Sequence, residues 1–296
     1  MTPATSGLTS GETEFVPLSE DRRLHRELEE ILSAPVTILP EVPSTNEELI
    51  HRARRSATEE EPLPDLYVMA TDFQCQGRGR LDRTWVVAPG EALTFSVLLR
   101  PTDAEGCPVP PQTYGWLTLL LSSAVIQALV EQGIAAEIKW PNDVLVGGRK
   151  MVGVLASLVM CDHMPPAVVV GAGINVSTSE FPVDTATSVQ REGGHTDRAA
   201  LLRRIMELFV PIYRRYCDDP AQVTHPDGAL RRHIEANMTT LGRQVRAELP
   251  GSHPPILGRA VGLDAHGALI IQDTSGIGHH LSAGDVVHLR GVQEGA

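Results

Sequence analysis

Two short segments and one lysine concentrate side chains suited to anion chemistry. Gln76-Gly77-Arg78-Gly79-Arg80-Leu81-Asp82-Arg83 sets three arginines among two glycines. Glycine lets backbone approach a ligand or move as a lid, and each guanidinium offers a fixed fork of donors for phosphate or carboxylate. Lys139-Trp140-Pro141-Asn142-Asp143 packs a cation, a large ring, a turn former, an amide and a carboxylate into five residues at the end of a strand. Pro-Asn-Asp alone would make an ordinary turn, so the segment by itself stays open between turn and site. Seven residues past Asp143, Lys150 opens an otherwise apolar strand. A lysine there can simply snorkel; facing the arginine loop, it would neutralise charge on a transferring phosphoryl group. The arginine loop alone is also compatible with a flexible RNA-binding patch, although it lacks repeated RG pairs and nearby aromatics for base stacking.

Other signals are weak. Gly171-Ala172-Gly173-Ile174-Asn175-Val176 lacks the third glycine of a dinucleotide fingerprint, and Gly147-Gly148-Arg149-Lys150 lacks the first glycine of a P-loop. His279-His280 has no third ligand at metal spacing and is expected on a strand or its turn. Cys75, Cys107, Cys161 and Cys217 lie far apart with no C-x-x-C pair, which argues against structural zinc and for four reduced thiols in a cytoplasm. Cys75, although inside the loop, is not assigned as a nucleophile.

The elements that must position these groups follow from periodicity. Residues 1–20 are Ser/Thr/Gly/Glu-rich and expected to be a disordered tail. Leu24, Leu28, Ile31 and Leu32 predict a short helix from Asp21, and Ser44 with Glu47 predicts a capping box opening a helix through Leu49, Ile50 and Ala53. LYVMA reads as a strand. Thr113–Gln132 reads as the long helix, with one apolar face and Gly133 as its stop. EIKW, DVLV and KMVGVLASLV read as strands, with Gly147-Gly148 forming a hairpin turn. AVVVGAGINV reads as a buried strand running into a glycine turn. A second helix covers Asp197–Tyr216, kinked at Pro211. From about Asn237, short strands with Gly-rich turns suggest a small β-barrel.

The chain of 296 residues is 42% hydrophobic, 21% charged and 4% aromatic, an ordinary globular composition. With 25 basic against 37 acidic residues its net charge is −12, which argues against a broad grip on nucleic acid and makes any anion site local. No long apolar run and no basic-then-apolar leader occur, so neither a membrane nor export is expected.

Taken together and in order, Ser44-Thr45-Asn46, Gln74 with Gly77-Arg78-Gly79-Arg80 and Arg83-x-Trp85, Lys-Trp-Pro-Asn-Asp at 139–143, Arg149-Lys150-Met151-Val152-Gly153, and Gly171-Ala172-Gly173-Ile174-Asn175 resemble the biotin protein ligases from about residue 36 to 291. The resemblance implies an α+β chain in three parts. Residues 1–20 are the tail. Residues 21–235 form a mixed-sheet catalytic domain related to class II aminoacyl-tRNA synthetases. Residues 236–296 form a small SH3-like barrel.

The implied reaction is activation of biotin by ATP, with Mg²⁺, to biotinyl-5′-AMP and pyrophosphate. Biotin then passes to a lysine of the biotin carboxyl carrier domain of an acetyl-CoA or acyl-CoA carboxylase. Lys150 and Arg80 match catalytic positions, Lys150 lying between carboxylate and α-phosphate and Arg80 retaining the adenylate. Ser44, Thr45, Gln74, Gly77, Arg78, Arg80, Lys150, Gly153 and Leu155 match biotin contacts. Arg83, Trp85, Lys139, Asn142 and Asn175 match ATP contacts, and Asp143 a magnesium-side carboxylate.

Two departures bear on the loop's stiffness: Cys75-Gln76 where a small residue is usual, and Leu81-Asp82 where glycine is usual. No winged helix is read before the catalytic region, so DNA is not an expected partner, and the chain is expected to be a monomer or weak homodimer. The alternatives are a lipoate or octanoate ligase, which shares the fold and a lysine, and a non-enzymatic biotin- or RNA-binding protein.

Overall fold

The computed structural model describes residues 17–58, 61–80, 83–85, 87–181, 183–249, 254–282 and 285–288. In chain order the elements are α1 (Arg22–Leu32), β1 (Val36–Val42), α2 (Thr45–Ser56), β2 (Tyr67–Gln74), β3 (Gly77–Arg78), β4 (Thr84–Trp85), β5 (Ala92–Leu99), α3 (Trp116–Val130), β6 (Ala136–Lys139), β7 (Asp143–Val146), β8 (Arg149–Val159), β9 (Ala167–Asn175), α4 (Arg198–Asp218), α5 (Ala221–Thr224), α6 (Ala229–Ala236), β10 (Gln244–Glu248), β11 (Ile256–Leu263), β12 (Leu269–Gln272), β13 (Gly278–Leu281) and β14 (Asp285–His288).

Seven strands form one sheet in the order β1-β2-β5-β9-β8-β7-β6. It is mixed, because β1 runs parallel to β2 while the other neighbours are antiparallel. The β7–β8 hairpin turns on Gly147 and Gly148, whose φ values of +54° and +79° are those a two-residue primed turn demands. A second, five-stranded antiparallel sheet, β13-β12-β11-β10-β14, makes the C-terminal unit.

Helices α1, α3 and α4 pack on one face of the large sheet in the main core, and α2 covers part of the other through Leu49, Ala53, Met69, Leu98 and Val169. The expected single apolar face of α3 is corrected. Twelve of its fifteen residues are buried, two serines among them, so it lies inside the core with almost no solvent side. The two helices α5 and α6 were not anticipated: α5 is one turn, and α6 shows too short a period to stand out from its polar surroundings.

The expected tail boundary is also corrected. Residues 1–16 lie outside the described residues, but Leu18–Glu20 form a 3₁₀ turn held at Asp72 by Leu18 N–H (2.7 Å), Ser19 N–H (3.0 Å) and Ser19 Oγ (2.6 Å). Burial raises the Asp72 pKa, but these donors and the buried Arg198 outweigh it and hold the carboxyl below its ordinary value. Leu18, 2% exposed, anchors the turn in the core.

Two tryptophans join the units. Trp116 Nε1 donates to Ala265 O and Trp140 Nε1 to Gly267 O, both at 3.1 Å, so the β11–β12 turn rests on the large-sheet domain. The backbone continues the union, with Ile138 N–H donating to Asn237 O and Thr239 N–H to Ile138 O, each at 2.8 Å. His279 and His280 lie in β13, facing Asp273 and Asp264 respectively. All four cysteines are unbridged. No helix among the described residues is long and apolar enough to cross a membrane.

Candidate active site

Strand side chains alternate between faces, and on the face that α2 shares the apolar series stops partway along each central strand. Leu98 is followed toward the site by Ser96 and Thr94 in β5, and Val169 gives way to Gly171 and Gly173 in β9. Gly171 lies directly across from Ser96 and Gly173 across from Thr94. The gap so made is the floor of the site.

The first turn of α2 points into this gap. Ser44 caps the helix, its Oγ accepting from Glu47 N–H at 3.4 Å. The expected capping box is only half formed, since the Glu47 carboxylate turns instead to Arg78, Oε1 to Nη1 at 2.8 Å. Thr45 N–H donates to Gln74 Oε1 at 2.9 Å, and Asn46 Nδ2 donates to Leu155 O at 3.0 Å. A cavity of about 40 Å³ is lined by Ser44, Thr45, Asn46, Gln74, Arg78, Trp85, Thr94, Gly153 and Leu155, with Gly171 and Gly173. Apart from Arg78 the lining of this slot is uncharged, hydroxyl and amide groups set among apolar ones.

A larger cavity of about 250 Å³ adjoins it, sharing Arg78, Trp85, Gly153 and Leu155 and adding Arg80, Arg83, Asn142, Asp143, Lys150, Asn175, Thr178, Glu180 and Phe181. Lys150 stands at the junction: a Cβ on Gly153 would lie 3.3 Å from Nζ. Its ammonium is 2.6 Å from Asp143 Oδ1 and 5.9 Å from the Trp85 ring centroid. Its backbone is clamped, with Lys150 N–H donating to Thr185 O at 2.7 Å and Thr187 N–H to Lys150 O at 2.9 Å. A cation thus sits where a largely uncharged slot meets an arginine-lined cleft. That arrangement suits a ligand whose uncharged end is buried and whose anionic end meets a second anion.

The glycines of the 171–175 segment do not form the expected turn. They lie within β9, where a Cβ on Gly171 would fall 2.1 Å from Asn46 Oδ1 and one on Gly173 2.8 Å from Trp85 Cε2. Their task is close approach, which makes a phosphate-binding turn the wrong reading of the same residues.

Most of the anticipated residues converge: Ser44, Thr45, Gln74, Arg78, Arg80, Arg83, Trp85, Asn142, Asp143, Lys150, Gly153, Leu155 and Asn175 all line one of the two cavities. Gly77 is beside them, its absent Cβ leaving room for Gln74 Nε2 at 2.7 Å. Leu81 and Asp82 lie outside the described residues.

Two placements differ from expectation. Lys139 lines neither cavity; its charge acts on His288 of β14, whose pKa burial together with Lys139 and Arg243 pushes down to about 4. Lys139 pairs with Asp143 across the β6–β7 hairpin, so alternation puts both on one face of the sheet; Lys139 leaves the cleft because β6 is the edge strand and its charge lies toward β14. Asn142 lines the cleft but its amide is engaged with protein, Nδ2 donating to Val154 O (2.8 Å) and Oδ1 accepting from Arg80 Nη1 (3.3 Å). It positions Arg80, so a direct nucleotide contact would have to replace these bonds. Asn175 is 5% exposed and donates to Thr187 O at 3.0 Å.

Asn46, Thr94 and Ser96 escaped sequence reasoning as functional residues. Asn46 stood inside the quoted Ser-Thr-Asn run, whereas a lone serine in an apolar strand carries no signal. Cys75 is exposed, and its thiol is pushed up by desolvation and the neighbouring Glu41, which opposes a thiolate role.

Among the described residues no group of three or more His, Cys, Asp or Glu side chains is placed to hold a metal ion.

A mixed-sheet domain with this cleft and an appended antiparallel sheet belongs to a recognisable class of ligases. Residues 40–175 match the biotin/lipoate A/B protein ligase family and residues 240–289 match the biotin protein ligase C-terminal domain. The chain is 34% identical over 264 residues to the biotin–[acetyl-CoA-carboxylase] ligase of Mycobacterium tuberculosis, covering 86% of this chain and 88% of that one. It is also 34% identical over 222 residues to the bifunctional ligase/repressor BirA of Bacillus subtilis, of whose length it spans 64%. The structure of the Aquifex aeolicus biotin protein ligase in complex with biotin and ATP superposes with a TM-score of 0.67 at 28% identity, covering 86% of this chain and 99% of that one. The chain belongs to the biotin protein ligase family.

Proposed function

We propose that the protein activates biotin with ATP to biotinyl-5′-AMP, releasing pyrophosphate, and transfers the biotinyl group to a lysine of a carboxylase's biotin carboxyl carrier domain. The observation that carries this reading is Lys150 Nζ at the junction of the largely uncharged slot and the arginine-lined cleft. The slot, with Thr45 and Gln74, takes the uncharged ureido ring. Arg78 and Lys150 receive the carboxylate, and Arg80 and Arg83 flank the triphosphate, with Trp85 and Asn175 on the adenine side. Attack of the carboxylate on the α-phosphate brings two anions together, so these cations lower the repulsion and stabilise the transition state. Asp143 is a single carboxylate with a buried Oδ1 facing Lys150, which suits one ligand of an ion that arrives with the nucleotide. Magnesium bound there would supply further charge neutralisation on the phosphates.

The mixed anhydride must be kept from water until the acceptor lysine arrives. Arg80 is the group for this: it lines the nucleotide cleft and also a cleft of about 370 Å³ between the catalytic domain and the C-terminal unit, where Tyr114, Trp140 and His266 lie. Arg80→Gly is expected to join the two spaces, leak adenylate and biotinylate bystander lysines while adenylate still forms. Unchanged acceptor selectivity in a proximity-labelling assay would remove the retention role. The catalytic domain is read as kin to class II aminoacyl-tRNA synthetases and the five-stranded unit as an SH3-like barrel. The test of the whole proposal is incubation with ATP, biotin and a carrier domain, with mass spectrometry of the acceptor. Biotin on its lysine is expected; lipoyl or octanoyl transfer under the same conditions, without biotin transfer, would favour the related ligases instead.

A further inference from the structure

Behind the ligand-facing residues of the small cavity lies a buried hydrogen-bonded knot centred on Ser96, which is 0% exposed at the middle of the large sheet. Its Oγ is 2.7 Å from Thr45 Oγ1 and 2.6 Å from Asn46 Oδ1. We infer that Ser96 is a positioning residue that fixes Thr45 Oγ1 as a hydrogen-bond acceptor, and so sets the slot's preference for a ligand edge offering N–H beside C=O, as a cyclic urea does.

The assignment follows from counting protons. Asn46 Nδ2 is committed to Leu155 O at 3.0 Å, which turns Oδ1 toward Ser96. An amide oxygen only accepts, so the single Ser96 proton goes to Asn46. The 2.7 Å contact with Thr45 is then closed by the Thr45 proton, or Ser96 shares its proton between the two oxygens and Thr45 donates to Gln74. The other oxygen within reach of the Thr45 hydroxyl is Gln74 Oε1 at 3.3 Å, which already accepts from Thr45 N–H at 2.9 Å. Either way the Thr45 proton is spent inside the protein, and Oγ1 meets the slot with lone pairs only. Gln74, with Oε1 consumed, presents its Nε2 donor. An acceptor beside a donor complements the N–H and C=O of a urea, whereas an alkyl chain or dithiolane ring would leave both groups dry and unpaired. Gly171, directly across from Ser96, makes the knot possible, since a side chain there would displace Asn46 Oδ1.

The inference rests on the biotin reading above and deepens it. Ser96→Ala is expected to weaken biotin binding about tenfold to a hundredfold, and to weaken dethiobiotin, which carries the same urea, by the same factor. ATP affinity should stay within about twofold, since no phosphate-side group is touched. A residue that merely packs would give additive losses; a residue acting through the Thr45 hydroxyl would not. In a Thr45→Val background, Ser96→Ala should therefore cost less than about twofold more. Calorimetric titration of the four proteins with biotin, dethiobiotin and ATP reads all of this. If Ser96→Ala does not fold, Ser96→Cys, near in volume and a weak donor, should still lose at least about fivefold. The inference is overturned by biotin affinity within twofold of the unsubstituted protein, or by the same loss in both backgrounds. Failure of the unsubstituted protein to bind biotin or dethiobiotin at all overturns the biotin reading itself, and the inference with it.

Discussion

Lys150→Ala is expected to lower biotin-dependent adenylate formation by on the order of a thousandfold, the scale of removing a cation or donor aimed at developing charge in an enclosed site. The lysine contributes through position: its backbone is locked by Thr185 and Thr187, and its ammonium rests against Asp143 at 2.6 Å until an anionic ligand competes for it. Lys150→Arg should recover little, because a broad planar fork cannot occupy the same point beside Gly153 as a compact ammonium. The effect should fall on kcat for adenylation, with the affinity for biotin's neutral end changed far less. Single-turnover formation of the adenylate measures this, and a rate within tenfold of the unsubstituted protein would remove Lys150 from the chemical step. The substitution also leaves Asp143 Oδ1 buried without its cation, so a modest fall in thermal midpoint is expected alongside.

Gly171→Ala should be nearly as damaging, for a different physical reason. The new Cβ would lie 2.1 Å from Asn46 Oδ1 and 2.9 Å from Ser96 Oγ, and Asn46 is pinned by hydrogen bonds on both sides of its amide. Strand β9 lies at the middle of the sheet, bonded on both edges to β5 and β8, so the backbone cannot retreat. Asn46 must leave, which breaks its bonds to Leu155 and Ser96 and disturbs the first turn of α2. A loss of about 2–4 kcal/mol in stability is expected from overpacking and unpaired buried groups. Biotin affinity should drop by at least about a hundredfold as Thr45 loses its support. Chemical denaturation and calorimetry check both; a variant of unchanged midpoint and affinity would show that this strand has room the geometry denies it.

Much of this site could be read in the sequence because its chemistry sits in contiguous, unusual runs. Arg78, Arg80 and Arg83 with their glycines, and Lys150 at the mouth of an apolar strand, stand out by type alone. Periodicity likewise marked α1, α2 and α4, each with a buried and a solvated side, and the Gly147-Gly148 pair marked the β7–β8 hairpin. It failed where both sides are buried. Helix α3 shows no polar stripe to count from, and Gly171 and Gly173 look alike whether they turn a chain or let Asn46 and Trp85 approach it. Lys139 shares a sheet face with Asp143, and only its place on the edge strand beside β14 keeps it from the cleft, a fact that no local spacing carries. Ser96 was beyond reach for the opposite reason: its meaning lies wholly in residues distant in sequence, Thr45, Asn46 and Gly171.

The central claim is that the cation at the junction of slot and cleft serves biotin activation. Exchange of labelled pyrophosphate into ATP tests it most directly, because exchange requires reversible formation of an adenylate and no acceptor protein. Exchange that depends on biotin, that lipoate and octanoate do not support, and that is lost in Lys150→Ala is the predicted result. Exchange supported by lipoate or octanoate and not by biotin, or by none of the three, would contradict the account.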